Sequence, residues 1–377
     1  MNRLPVRIAA FVGAITACGA LGTACGGSGE DSAAAGATSL SFRITDEGCD
    51  PHDAEAPAGP ITFEAEGASS SVTELEVLDG ETILGEKENL VEGLPGSFSL
   101  TLEEGEYTIR CNGGRQEDGT LTVTGRLETK DSPAVARAIA AYRGYLEQNT
   151  AELTAATRPF VAAVLAGDLA RARSLYAAAR IPYERIEPVA ESFGDLDPRI
   201  DARENDVAAS EFEGFHRIEK ALWEEGAARG MAAVARQLLA DVEELEAKVG
   251  RVSLQAVQIA NGANELLGEV SASKITGEEE RYSHTDLVDF KANVEGSEVA
   301  FEAVEPLLSG PDPKLAREIE ADFGAVFAAL KPYETADGFV PYTDLTRADT
   351  RALAQSIDTL AEKLSQVPAA IVTGESA

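Results

Sequence analysis

The hydrophobic period changes near residue 131, and that change constrains the fold more than any other feature of the chain. Before it, segments 39–45, 59–65, 72–78, 97–102, 107–110 and 119–124 alternate or are rich in β-branched and aromatic residues, with Gly, Pro, Asn and Asp between them. Short strands at this spacing predict a small sandwich. Asp131-Ser132-Pro133 then reads as a helix start, a capping residue ahead of a first-turn proline. Beyond it Ala, Leu, Glu and Arg dominate. Helices are predicted over 133–166, 168–194, 200–229, 231–249, 252–270, 284–309, 313–333 and 346–365, with Gly167-Asp168, Gly194-Asp195, Gly230, Gly250, Gly310-Pro311 and Gly338 as punctuation. The expectation is an α+β multidomain chain, with a β domain over 38–125 and an all-α bundle over 131–370.

Ahead of both lies a different composition. Arg3 and Arg7 precede an apolar run, 8–21, that is too short to span a bilayer. Ile15-Thr16-Ala17-Cys18 matches a bacterial lipobox, and Gly22-Thr23-Ala24-Cys25 matches it less well at its first position. Next comes a Gly- and Ser-rich run, the composition of a flexible linker. We read 1–25 as a lipoprotein signal, lipidated at Cys25 or Cys18, and 26–37 as linker; an ordinary cleaved signal is the alternative. The product is expected outside the cytoplasm, lipid-anchored on the periplasmic side or at the cell surface. There the two remaining cysteines, Cys49 and Cys111, can form a disulfide. Closing so long a loop contributes about 4 kcal/mol by chain-entropy reasoning.

Acidic residues number 65 against 32 basic ones, for a formal charge of -33. Nucleic acid and anionic lipid surfaces are poor partners for such a chain, because both need a basic face. A negative surface instead concentrates cations, and it also keeps a protein soluble.

The chain has three histidines. His216 stands three residues before Glu219 in Gly214-Phe-His-Arg-Ile-Glu-Lys-Ala-Leu-Trp223, so on a helix the two share a face. Phe212, Phe215, Ile218, Leu222 and Trp223 supply an apolar stripe, and Glu213 lies one turn back. An imidazole beside a carboxylate suits iron or zinc, although an isolated pair of this kind also describes an ordinary surface contact. Glu184 and Glu187 form a second i, i+3 pair just after Pro182, which is expected to begin a helical segment. Asp201 stands farther along, at the start of the next acidic helix. Hard cations need several converging oxygens, and facing helices that carry such pairs are how bundles build iron sites. In a third patch, 277–290, His284 pairs with Asp286 or Glu280 as a second cation site, or else anchors a helix N-terminus.

Together, 214–223, the patch 277–290 and Ala292-Asn293-Val-Glu-Gly296 resemble the imelysin-like family, over about residues 130–370. The segment 105–114, around Cys111, resembles the cysteine strand of the cupredoxin-like domain that precedes the helical domain in the long form of that family. The resemblance implies an iron-uptake lipoprotein that takes Fe2+ or Fe3+ and hands it to an iron permease, with a haem peroxidase as the other partner. It implies a transport component in preference to an enzyme, with auxiliary ferrous oxidation left open. The family's metal motif falls on His216 and Glu219, and its further acidic ligands on Glu184, Glu187 and Asp201. In the β domain the resemblance implies Cys49, Glu74 and Cys111 around copper or iron. A Cys49–Cys111 disulfide is the equal alternative, and type 1 copper is disfavoured because His52 is the domain's lone histidine. The rival function is a zinc-dependent imelysin-like metallopeptidase. Against it, Lys220 stands where the pattern H-x-x-E-H needs histidine, and H-E-x-x-H is absent. A polyanion-binding role conflicts with the charge.

Overall fold

In a computed structural model, the described residues are 38–375 apart from 72, 94, 113–114, 117, 128–131, 273, 309–311 and 337. The predicted signal, both lipidation candidates and the linker lie outside them. Among the described residues no helix is long and apolar enough to cross a membrane.

Among the described residues, nine strands build the sandwich: β1 (Thr38–Thr45), β2 (Gly48–Asp50), β3 (Ala54–Pro57), β4 (Gly59–Gly67), β5 (Thr73–Asp79), β6 (Thr82–Leu90), β7 (Pro95–Leu102), β8 (Gly105–Cys111) and β9 (Asp118–Thr124). One sheet has the order β2-β1-β4-β7 and the other β3-β9-β8-β5-β6. The period-2 pattern decides which residues enter: along β4, Ile61, Phe63 and Ala65 are buried while Glu64 and Glu66 face out. Phe63 stacks on Phe98 with centroids 5.0 Å apart, and Phe42 lies 6.4 Å from Phe63 on its other side. Cys49 in β2 and Cys111 in β8 are joined as a disulfide that ties the two sheets together.

The helical part contains α1 (Pro133–Ala166), α2 (Leu169–Glu184), α3 (Glu187–Glu191), α4 (Leu196–Asp201), α5 (Gly214–Trp223), α6 (Ala232–Val249), α7 (Ala256–Ala272), α8 (Asp286–Leu308), α9 (Pro313–Leu330), α10 (Arg347–Leu364) and α11 (Val367–Glu375), with a short hairpin of β10 (Glu334–Thr335) and β11 (Gly338–Phe339). The Ser132 hydroxyl accepts from the Val135 amide, Pro133 is the first helical residue, and Gly167 closes α1 in the left-handed region. Several expectations need correction. Asp201 does not start a helix but ends α4. The predicted helix over 168–194 breaks after Glu184 into α2 and the short α3. Pro182 does not open a helix; it lies in the last turn of α2, which ends two residues later. The predicted helix over 200–229 is only α5, because 202–213 is largely irregular and Gly214 starts α5 at φ 75°. A Cβ at Gly214 would lie 2.2 Å from the Ile200 carbonyl oxygen, so the chain turns there only with glycine.

The sandwich and the helices pack on one another through α7. β7 and β6 are the edge strands of the two sheets, and an open edge carries unpaired backbone groups. The amide side chains of Gln255 and Asn261 satisfy β7. Gln255 donates to the Thr101 carbonyl (2.9 Å) and accepts from its amide (3.3 Å), and Asn261 donates to the Ser99 carbonyl (2.8 Å). Gln258 donates to the Leu84 carbonyl of β6 at 2.8 Å, and Lys87 pairs with Glu265 at 3.0 Å.

Candidate metal centre

Four segments bring charge around His216. α2 ends in the sequence Arg180 to Glu184, α4 ends in Asp201, α5 presents His216 and Glu219 one turn apart, and the segment 277–285 leads into Asp286 and Asp289 of α8. The apolar stripe of α5 works as expected: Phe215, Ile218 and Leu222 are buried, which fixes the opposite orientation of His216 and Glu219. Gly296 lets α8 approach α2, since a Cβ there would meet the Arg185 carbonyl oxygen at 2.3 Å. One turn earlier, Asn293 donates to the Glu184 carbonyl oxygen at 2.8 Å.

The His216 imidazole is 2% exposed. Its Nδ1 lies 3.3 Å from a Glu219 oxygen, and its Nε2 lies 3.5 Å from Asp201 and 3.3 Å from Glu279. Candidate ligand atoms of Asp201, His216 and Glu279 all fall within 4.8 Å of one another, and so do those of His216, Glu219 and Glu280. Glu219 is held from behind: its second oxygen accepts from the backbone amides of Tyr282 (2.9 Å) and Ser283 (2.7 Å). Ser283 Oγ donates to Glu280 at 2.8 Å, and the Glu280 amide donates to Asp286 at 3.1 Å. This supporting layer orients the inner carboxylates.

Arg180, with no exposed surface, sits inside the cluster. It pairs with Glu184 and Asp201, and lies 3.1 Å from Glu279, 2.6 Å from Glu280 and 3.4 Å from Asp289. Burial opposes its charge, but Asp201 and Glu184 outweigh burial and keep the guanidinium charged. Burial and Arg180 likewise push the His216 pKa down, yet Asp201 and Glu219 raise it well above the ordinary imidazole range. Burial would lift Asp201, but Arg180 and His216 hold it at about 2. Glu280 and Asp289 go the other way, raised by burial and by neighbouring carboxylates. Neither oxygen of buried Asp289 has a hydrogen-bond partner, nor does Nε2 of His216. Such a cluster keeps protons that a cation would displace. One imidazole among several carboxylate oxygens is a donor set that suits iron better than soft metals.

Sequence reasoning points to His216, Glu219 and Asp201, assigns Glu280 to a second site with His284, and misses Glu279, Arg180 and Asp289. The patch holding Glu279 and Glu280 stands out in the sequence, but its spacing matches Glu280 with the wrong histidine. His284 adopts φ 61° and belongs to none of the metal-compatible groups among the described residues. Glu184 and Glu187 are buried beside the cluster, where Lys274 contacts them at 3.1 and 2.5 Å. Glu213 only flanks α5, partly exposed. In the sandwich, the disulfide engages both sulfurs of Cys49 and Cys111, so the thiolate site expected for copper or iron with Glu74 lacks its two soft ligands. Glu74 instead accepts from Asn112.

Between sandwich and helices lies a cavity of about 410 Å³. Glu74, Glu88 and Asn112 line it from the sandwich, and Glu187, Glu191, Asp197 and Glu269 from the helices. Asp201 and Glu279, the two groups facing His216 Nε2, also reach its wall. The cavity therefore adjoins the buried imidazole through two of its neighbours.

Comparison with known proteins agrees with this architecture. The imelysin family model (peptidase M75) matches residues 138–367, and a cupredoxin-like domain model matches residues 14–123. The iron uptake system component EfeO of Escherichia coli K12 is 40% identical over 344 residues, covering 89% of this chain and 92% of the relative. EfeO of Shigella flexneri matches to the same extent. A solved purple cupredoxin from Nitrosopumilus maritimus aligns at 20% identity over 22% of this chain and 98% of its own, with a TM-score of 0.20. On the family match and the identity to these relatives, the chain belongs to the imelysin family, as a homologue of EfeO that carries a cupredoxin-like domain ahead of its helical domain.

Proposed function

We propose that this protein is the extracytoplasmic iron-binding component of an uptake system, and that it captures iron at His216 and Glu219, on the Nδ1 side of the imidazole with Glu280, while Asp201 and Glu279 stand at Nε2 on the way in. The observation that carries this reading is the buried imidazole with carboxylates at both ring nitrogens. The EfeO relatives support iron as the cargo. The acidic cavity is the entry route in this reading: its carboxylates attract a cation, and Asp201 and Glu279 hand it from the wall to the imidazole. Binding requires neutral His216, so capture of iron expels the imidazole proton, and return of that proton assists release.

In the same reading a lipid on Cys25 or Cys18 holds the chain at the membrane, an iron permease receives the ion as Fe2+ or Fe3+, and a haem peroxidase is the other partner. The sandwich covers the cavity instead of holding copper. Replacing His216 and Glu219 together by Ala, in the full chain, is expected to weaken Fe2+ binding at least ~100-fold in anaerobic titration calorimetry, since both direct donors are lost. Unchanged affinity would contradict the assignment.

A further inference from the structure

Of the two positive groups at the centre of the cluster, only one can discharge. The His216 imidazole gives up its proton when a metal takes a ring nitrogen. The Arg180 guanidinium has no such route, because it stays protonated at any pH a folded protein meets. Nor can it swing away. Arg180 has no exposed surface, and its guanidinium lies 5.6 Å from the centre of the buried Phe215 ring. Glu184 of its own helix, Asp201 of α4, Asp289 of α8 and the pair Glu279 and Glu280 close around it. These contacts reach both sets of candidate ligands. Asp201 and Glu279 form one set with His216, and Glu280 belongs to the other with His216 and Glu219. Whichever side of the imidazole an ion takes, the guanidinium stands one carboxylate away.

Carboxylates hold a trivalent ion more tightly than a divalent one, since each attraction scales with the charge of the ion, and a fixed positive neighbour repels in the same proportion. Salt does little to screen a charge that is buried. We propose that Arg180 is a specificity-determining residue for valence: its permanent charge weakens the hold on Fe3+ more than the hold on Fe2+, and so keeps trivalent iron releasable from an acid-rich pocket. This role rests on iron binding beside His216, as in the function proposed above. The imidazole charge leaves as iron enters, whereas the guanidinium charge is still there once iron is bound. Arg180 therefore acts on the loaded site as well as on the empty one, and raises the Fe3+/Fe2+ potential of the bound ion.

The test is an anaerobic spectroelectrochemical titration of the iron-loaded full chain, which reads the Fe3+/Fe2+ potential. Arg180→Gln is expected to raise the ratio of Fe3+ to Fe2+ affinity at least ~10-fold, which lowers the potential by about 59 mV for this one-electron couple. Arg180→Lys keeps the charge and is expected to leave the ratio within about twofold of native. An arginine that serves only the fold would, on replacement by Gln, lower stability and change both affinities by the same factor, with the potential unmoved. A folded Arg180→Gln chain whose potential is native or higher overturns the proposal. Should Arg180→Gln fail to fold, Arg180→Lys decides: a ratio within about twofold of native supports a role of charge, and a larger change overturns it. The function proposed above is judged separately, in a His216→Ala, Glu219→Ala chain. Loss of Fe2+ binding there agrees with that function and unchanged affinity counts against it, whatever potential the Arg180 variants show.

Discussion

The sandwich and the helical domain both bury large apolar side chains completely, but among the described residues the helical domain also buries a cluster of charges around an arginine. Around Phe63, Phe98, Ile61 and Leu121 the sandwich interior is apolar and closed by a disulfide. Around Arg180 the helical interior packs carboxylates against one guanidinium, one imidazole and one ammonium, beside a large buried apolar core of its own. An apolar interior is stable for its own sake. Charges taken out of water are not, and replacing such a group by apolar residues is often stabilising. In the function proposed above, these buried acids are retained because they bind the cation.

Single substitutions should separate the two interiors. Arg180→Ala and Phe63→Ala are each expected to cost about 3–5 kcal/mol in urea denaturation, the first because carboxylates lose their counter-ion and the second because a cavity opens. Only the first should be partly recovered by a second change, Glu280→Gln, which removes an acid facing the lost guanidinium. A cost below ~1 kcal/mol for Arg180→Ala would mean the cluster is solvated, and the contrast would fail.

Reducing the Cys49–Cys111 bond is the next largest effect. About 2–4 kcal/mol should be lost from the sandwich, read as a lower melting temperature with reductant. Iron affinity should stay within about twofold. A large change in affinity on reduction would instead return the sulfurs to the ligand set.

The smallest effect is a pH dependence at the junction of the two regions. Burial raises Glu76 of β5 and Asp197 of α4 to about 7, with Glu74 adding to the first and Asp201 to the second. The folded state therefore holds protons that the unfolded chain has already released. Stability contributed by these groups is greatest near pH 4 and declines as pH rises towards 7. Glu76→Gln with Asp197→Asn should flatten that slope in melting curves of the metal-free protein. An unchanged slope would place the titration elsewhere.

Legibility in the sequence divides along the same line. The sandwich is readable because alternation reports an apolar interior, yet β6 escapes. Thr82–Leu90 is half-buried at nearly every position against α7, so it shows no alternation. In the helical part, α1 is readable from Ser132 and Pro133, and the His216–Glu219 pair from its spacing. The irregular run 202–213 is not, since its residues differ little in composition from the helices around it. Nor is the arrangement of Arg180, Glu280 and Lys274: local sequence shows which charges are neighbours on one helix, while a buried cluster depends on which helices meet. Glu280 illustrates this, being four residues from His284 in sequence but facing His216 in space.

X-ray absorption at the iron edge of the iron-loaded full chain tests the central claim most directly. The account predicts a shell of oxygen with one imidazole, no sulfur, and loss of the imidazole signal in His216→Ala. Sulfur in the first shell, or an imidazole signal that survives that substitution, would contradict it.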